Sequence, residues 1–153
     1  MTTANGKEPE KRIPHYTITG EGVGTGQTVT VEVEINQKNK KFDPEVFARC
    51  AVHGVLFRGY NIAQDKKSQE FGLVAATIPG MTDSDKEKQY ADYFNNFWEE
   101  TYSNYAQVLY ETRENLKMGD KWRVKVKVTV FKENLRRELE KVGIIKGISG
   151  GWE

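Results

Sequence analysis

The chain has 153 residues, of which 37% are hydrophobic, enough for one domain with an ordinary core and no disulfide or metal staple. A formal charge of +1, from 23 basic and 22 acidic residues, excludes a protein-wide field that attracts polyanions, so any basic function has to be local. Cys50 is the single cysteine, which excludes an internal disulfide, and no apolar stretch is long enough to predict a membrane span.

The chain is predicted to open with a disordered leader over residues 1–12, followed by a single domain over 13–143 and a tail over 144–153. The leader is polar, lacks apolar periodicity and is not followed by the apolar stretch of a signal peptide. It could stand in place of a removed targeting segment, a question that the residues leave open.

A β-hairpin is predicted from Ile13 to Asn36, because its second arm alternates strictly between apolar and polar residues. The apolar set of that arm is Val29, Val31, Val33 and Ile35, and the polar set is Thr30, Glu32, Glu34 and Asn36. The glycine-rich link GEGVGTGQ leads into a strand, whereas a phosphate-binding glycine loop of the Rossmann or P-loop type opens a helix. We therefore interpret it as a hairpin connection.

A first helix is predicted from the Asp43-Pro44-Glu45 start to about Phe57, with Gly59 as its C-cap. Cys50 and His53 are three residues apart on it, but two such groups fall short of a zinc site or a supported nucleophile pair. The sequence thus predicts a buried thiol beside a histidine, and it offers no catalytic, cofactor-binding or metal-binding residue.

Residues 60–83 are predicted to form a long ordered loop, with a short edge strand at Leu73–Ile78 as the alternative. The capping box Ser84 to Glu87 then starts a second helix. Its aromatic residues exceed what one buried stripe can hide, so they either pack entirely in the core or leave some rings for a partner or ligand. The candidate contacts are Tyr93, Phe97 and Trp98 on this helix, together with Phe71 of the preceding loop and Trp152 of the tail.

The segment after Ser103 could prolong the helix or form a strand, and we favour a strand because the strand Lys121–Phe131 needs a partner. That strand alternates valines with Arg123, Lys125, Lys127 and Thr129. Its basic side chains lack interleaved aromatics for base stacking, so a solvated sheet face balanced by the Glu32 strand is favoured over polyanion binding. A last helix is predicted from Glu133 to Val142, closed by Gly143.

Two hairpins and about three helices predict a two-layer α+β fold, in which one antiparallel sheet of about four strands is covered on one face by helices. Strand order is not determined by these patterns. The sequence contains no internal repeat.

Two segments, ARCAVHGVLFRG (48–59) and KVKVTVFKENLRRELEKVGIIKG (125–147), resemble segments of a family of small uncharacterised bacterial proteins. The strand and helix with the pattern VTVxKxxLRxxLE also resemble the closing unit of envelope accessory domains of the CsgG, LpoB and TolB N-terminal kind. The resemblance covers about a third of the chain and consists of packing residues. It implies an α+β, lipoprotein-like domain of the bacterial periplasm or envelope that binds other proteins, although this chain shows no lipobox cysteine.

We therefore expect a non-enzymatic interaction or structural module whose partners are other proteins, including further copies of itself. The alternative is a small-molecule binding protein or minor enzyme with a pocket between residues 60–83 and the aromatic helix. No cofactor, nucleic acid or membrane span is expected.

Overall fold

The computed structural model describes residues 13–21, 27–62, 65–70, 72–74, 88 and 90–145, with the backbone alone for residues 65–70. The strands of this part are β1 Thr17–Gly20, β2 Val29–Gln37, β3 Tyr60–Ile62, β4 Asp65–Glu70, β5 Ala106–Met118 and β6 Lys121–Val130. Its α-helices are α1 Pro44–His53, α2 Ala91–Phe97 and α3 Lys132–Lys141. The strands form one sheet in the order β4-β3-β1-β2-β6-β5, so the fold is α+β, as predicted.

Two antiparallel hairpins build the centre of the sheet, and β2 of one pairs with β6 of the other in an antiparallel ladder. The alternation in the sequence explains the burial. Val31 and Val33 of β2 and Val126 and Val128 of β6 all have 0% exposure, while their charged neighbours lie on the opposite face. The predicted inward valines are confirmed. The link at residues 22–26 lies outside the described residues.

The edge beyond β1 differs from the prediction of a long loop over residues 60–83. Tyr60–Ile62 pairs in parallel with β1, and Asp65–Glu70 pairs antiparallel with that short strand, so the sheet is mixed. The two predicted antiparallel hairpins are present, but this edge adds two strands and one parallel pairing that were not predicted, because a three-residue strand and the polar run DKKSQE carry no alternation. Phe71 and most of the alternative strand Leu73–Ile78 lie outside the described residues.

The opposite edge strand, β5, is interrupted by a bulge. Leu109 faces Lys127 and Glu114 faces Lys125, so residues 110–113 lie opposite Val126 alone. Beyond the bulge the hairpin closes with a tight turn at Gly119, whose φ of +65° suits glycine. The strand prediction after Ser103 is confirmed, and the strand continues through NLKM to Met118.

Helix α1 begins as predicted, because the Asp43 side chain accepts a hydrogen bond from Glu45 N at 3.1 Å and Pro44 occupies the first turn. Residues Gly54–Arg58 continue it as one wider π-type turn, and Gly59 ends it with a hydrogen bond from its N–H to Gly54 O at 2.7 Å. The helix packs on β2, β6 and β5, and so covers the valine face of the sheet.

The second helix is shorter than predicted, and the third, Lys132–Lys141, begins and ends one residue earlier than predicted. Helix α2 ends at Phe97 and is followed by a 3-10 turn at Thr101–Tyr105, while the capping box at residues 84–87 lies outside the described residues. Helix α3 buries Leu135 and Leu139. Ile144 and Ile145, predicted to belong to the tail, are 5% and 6% exposed and pack in the core. No helix in the described ranges combines the length and apolar character that crossing a bilayer requires.

Candidate functional site

The outer face of the sheet is an ion-pair lattice and not a free basic surface. Arg123 Nε lies 3.2 Å from Glu34 Oε2, Lys125 Nζ 4.0 Å from Glu32 Oε1, and Lys127 Nζ 3.1 Å from Glu21 Oε1. Arg123 and Lys125 each contact a glutamate of β2 diagonally, because the residues directly opposite them in the ladder are Asn36 and Glu34. Lys127 instead reaches across β2 to Glu21, which follows β1. The Arg123 Nε–H makes no hydrogen bond, so that contact is purely ionic.

These pairs confirm the expectation that the acidic and basic strands neutralise each other. A fourth contact adds Glu114 Oε1 at 3.7 Å from Lys125 Nζ. The hydrogen bond to Glu21, followed by the charge of that carboxylate, raises the pKa of Lys127, which keeps the ammonium charged. A polyanion would have to compete with carboxylates already in place, so the basic strand is a poor candidate site.

Of the five contact residues predicted from the sequence, the structure describes three. Phe97 and Trp98 are 2% and 3% exposed, so these two rings pack in the core and are not available to a partner. Tyr93 is half-buried, and its hydroxyl donates to Glu138 Oε2 at 3.4 Å. Burial first, then the Glu138 carboxylate, raises the pKa of Tyr93. Phe71 and Trp152 lie outside the described residues, and their contact roles remain predictions.

The thiol of Cys50 on α1 is buried, as predicted. Cys50 is fully buried, and burial raises the pKa of its thiol to about 12, which leaves the protonated form. His53 Nδ1 lies 2.8 Å from the Tyr16 hydroxyl, and the histidine ring lies against Phe57 and Trp98. Among the described residues, no group of three histidine, cysteine, aspartate or glutamate side chains is placed to hold a metal ion.

A groove of about 460 Å³ lies between the first turn of α1, the 3-10 turn and the first half of β5. It is lined by Pro44, Glu45, Ala48, Glu99, Glu100, Tyr102, Ser103, Ala106, Val108 and Tyr110. We call this the acidic groove, because three of its lining residues are carboxylates and none of the lining residues described is basic. Its volume falls in the range of about 300–1,000 Å³ that ligand sites occupy.

Tyr102 anchors the inner wall of the acidic groove. Its hydroxyl donates to Glu45 Oε1 at 3.1 Å and accepts from Arg49 Nη1 at 3.1 Å. The Arg49 guanidinium also lies over the ring, 5.4 Å from its centroid. Burial raises the pKa of Tyr102, so the phenol stays neutral and holds the Glu45 carboxylate in one orientation.

Tyr110 forms the outer wall, because the β5 bulge begins at this residue. Its side chain is 61% exposed, yet it makes an edge contact with the Phe42 ring at 6.0 Å between centroids. The Arg113 guanidinium covers the same Phe42 ring at 5.1 Å. The bulge thus presents an aromatic side chain toward the groove from an otherwise polar edge strand.

The arrangement suits a cation on an aliphatic stem. Ala48, Ala106 and Val108 supply an apolar surface along which methylene groups of lysine or arginine can lie. The carboxylates of Glu99 and Glu100 stand at the solvent-exposed rim, where they attract positive charge. The exposed ring of Tyr110 offers a cation–π contact to a ligand cation, whereas the Arg49 guanidinium already lies over the Tyr102 ring.

The sequence patterns did not bring these residues together. Glu45 belongs to a predicted helix start, and no local pattern singles out Glu99 or Glu100, so each is unremarkable in its own segment. The polar run after Tyr110, from Glu111 to Glu114, breaks the strand alternation and was the available indication of a bulge. The predicted pocket beside residues 60–83 is not the groove found here, whose walls are α1 and β5.

Comparison of this chain with models of protein families, with curated proteins and with solved structures gives no match.

Proposed function

We propose that the protein is a non-enzymatic interaction module that binds a basic segment of a partner protein in the acidic groove. The observation that carries this proposal is the meeting of three carboxylates, two tyrosines and an apolar floor around one groove of about 460 Å³. A lysine or arginine side chain matches each of these parts. Its methylene stem packs on the apolar floor, and its positive charge is attracted to the carboxylates and to the aromatic rings.

The rigidity of the inner wall supports the proposal. Tyr102 is held between Glu45 and Arg49, so the groove does not have to order that wall when a ligand arrives. Binding costs less when the site is already in its bound shape. The resemblance of the closing strand and helix to envelope accessory domains is a second support, because those domains bind other proteins.

A small free amine is the second candidate ligand, and the volume of the acidic groove favours it as well. A groove of about 460 Å³ admits a compact amine as readily as one peptide side chain. The two candidates differ in what else they contact. A peptide also lies along the exposed rim, whereas a free amine is confined to the lining residues.

The test is a fluorescence titration of the full chain with a labelled lysine- and arginine-rich peptide, in competition with a small diamine. We expect the peptide to bind and the double variant Glu99→Gln/Glu100→Gln to lose at least about tenfold in affinity, equivalent to about 1.4 kcal/mol. The charge-matched control is Asp92→Asn/Glu111→Gln, which removes two exposed acids outside the groove lining and should bind as the parent does.

Equal affinity of the Glu99→Gln/Glu100→Gln variant and the parent would remove the acidic groove as the binding site. Tyr110→Ala should lower the affinity for the peptide, because it removes the outer wall of the groove while Tyr102 stays in place. Full displacement of the peptide by the diamine at comparable concentration would favour the small-amine alternative.

A further inference from the structure

A second surface lies at the end of the sheet where β2 ends and β6 begins. Gln37, the last residue of β2, pairs with Trp122, so the loop 38–41 lies beside the β5–β6 turn at residues 119–120. The loop is braced by the Gln37 side chain, whose Nε2 donates to the carbonyls of Asn39 and Lys41. The Asn39 side chain in turn accepts from Lys41 N at 2.9 Å.

This end concentrates positive charge. The exposed lysines of the loop and the hairpin end are Lys38, Lys40, Lys41, Lys117 and Lys121. In residues 37–41 and 117–122 the sequence supplies one acid, Asp120. Within the described part of the chain none of the five lysines joins an ion pair, in contrast to the paired Arg123, Lys125 and Lys127 of the neighbouring face.

Exposed apolar side chains stand among these lysines. Leu116 is 55% exposed and Met118 is 43% exposed, and both project to the same face of the hairpin as Lys121. Trp122 and Lys117, which pair with each other in the ladder, lie on the opposite face of the same hairpin end. Lys40 Nζ and Lys117 Nζ are 5.4 and 5.5 Å from the Trp122 ring centroid. We call this set, the five lysines with Leu116, Met118 and Trp122, the basic tip.

We propose that the basic tip docks the protein onto the surface of an anionic lipid bilayer. Clustered lysines are attracted to the negative surface potential of such a membrane. Leu116 and Met118 then enter the boundary between headgroups and acyl chains, and the indole of Trp122 lies near the interface that tryptophan favours. This is peripheral docking by a hairpin end and requires no spanning segment.

A nucleic acid fits the same surface less well. Its phosphates would satisfy the lysines, but they would leave Leu116 and Met118 exposed to water with no apolar partner. The one aromatic ring of the basic tip already has the ammonium groups of Lys40 and Lys117 against it, so it is not an open platform for stacking bases. Charge combined with exposed aliphatic groups favours the lipid surface.

The test is co-sedimentation of the full chain with phosphatidylglycerol-containing vesicles and with purely phosphatidylcholine vesicles, at low and at high salt. The parent should sediment with the anionic vesicles only, and salt should weaken that binding. Lys117→Gln/Lys121→Gln and Leu116→Ser/Met118→Ser should each reduce the partition coefficient at least about tenfold. The charge-matched control is Lys88→Gln/Lys141→Gln, which removes two exposed lysines outside the basic tip and should bind as the parent does.

The same variants are titrated with a single-stranded oligonucleotide. Oligonucleotide binding that falls with the lysine pair but is unchanged in Leu116→Ser/Met118→Ser, together with no sedimentation on anionic vesicles, would overturn the proposal in favour of a nucleic acid. Equal sedimentation of the parent and both tip variants would overturn it outright. Thermal melts of each variant show whether a loss reflects unfolding, because Leu116, Met118, Lys117 and Lys121 are exposed and should leave the melting temperature nearly unchanged.

Discussion

Thr112 takes the place of a missing backbone partner of Lys127. Its Oγ1 accepts a hydrogen bond from Lys127 N at 2.8 Å and donates to the Leu109 carbonyl at 2.7 Å. One side chain therefore closes the ladder across the β5 bulge, at the point where Tyr110 is directed to the acidic groove.

Replacement of Thr112 by valine tests this role. Thr112→Val preserves shape but leaves the Lys127 N–H without an acceptor, so we expect the free energy of unfolding to fall by about 1–3 kcal/mol. The matched control is Thr129→Val, which removes only the side-chain contact to Thr30 Oγ1 at 3.1 Å and should cost about 1 kcal/mol or less. Urea unfolding of both variants gives the comparison, and equal losses would show that the bulge does not depend on Thr112.

The ion pairs of the outer sheet face should contribute little to stability. The Lys125 and Lys127 side chains are 29% and 37% exposed, so solvent screens them. We expect Lys125→Gln and Lys127→Gln each to lower the free energy of unfolding by less than about 1 kcal/mol, and by less still in high salt. Urea titrations at two salt concentrations measure this. A loss of several kcal/mol that persists in high salt would mean that these pairs are far better shielded than their exposure indicates.

The Cys50 thiol should make stability fall at alkaline pH. The folded pKa is about 12 against 9.0 for a free thiol, so the unfolded chain loses the proton first as pH rises. The stabilising contribution is complete below pH 9 and is lost between pH 9 and 12, with a magnitude of up to about 4 kcal/mol. Cys50→Ala should show a shallower decline over that window in urea unfolding, and a slope equal to that of the parent would contradict the burial argument.

Gly72 should tolerate no side chain, because the chain passes directly against the end of the first helix. A Cβ at this position would lie 2.6 Å from both Leu56 O and Phe57 C, which are backbone atoms that cannot move aside cheaply. Gly72→Ala is therefore expected to cost about 2–4 kcal/mol.

The control for Gly72 is Gly119→Ala, at a site with no atom within 4 Å of the added Cβ. Its cost comes from the backbone alone, since φ is +65°, and should be about 1 kcal/mol. Thermal melts of the two variants should rank them clearly. The reverse order would contradict the described approach of Gly72 to the helix end.

The central architecture followed from the sequence because its signals are local and repeated. Val31 and Val33 alternate with glutamates over a full strand, and Asp43 and Pro44 together mark a helix start. The edge strand Tyr60–Ile62 escaped prediction because three residues carry no period, and its parallel pairing with β1 depends on the fold around it.

The acidic groove was out of reach of sequence patterns for a different reason. Glu45 and Glu99 are brought together by packing between α1 and the turn after α2, and Tyr110 joins them only because β5 bulges there. Each residue alone has an ordinary local explanation, and their combination exists only in three dimensions.

The most direct test of the interaction proposal is a map of where a basic peptide binds. In ¹⁵N-labelled protein titrated with a lysine- and arginine-rich peptide, the account predicts amide shift changes concentrated at Ala48, Ser103, Ala106 and Tyr110, saturating with one Kd. Saturable changes confined to another surface, or none at peptide concentrations that give signal in the binding titration, would contradict it.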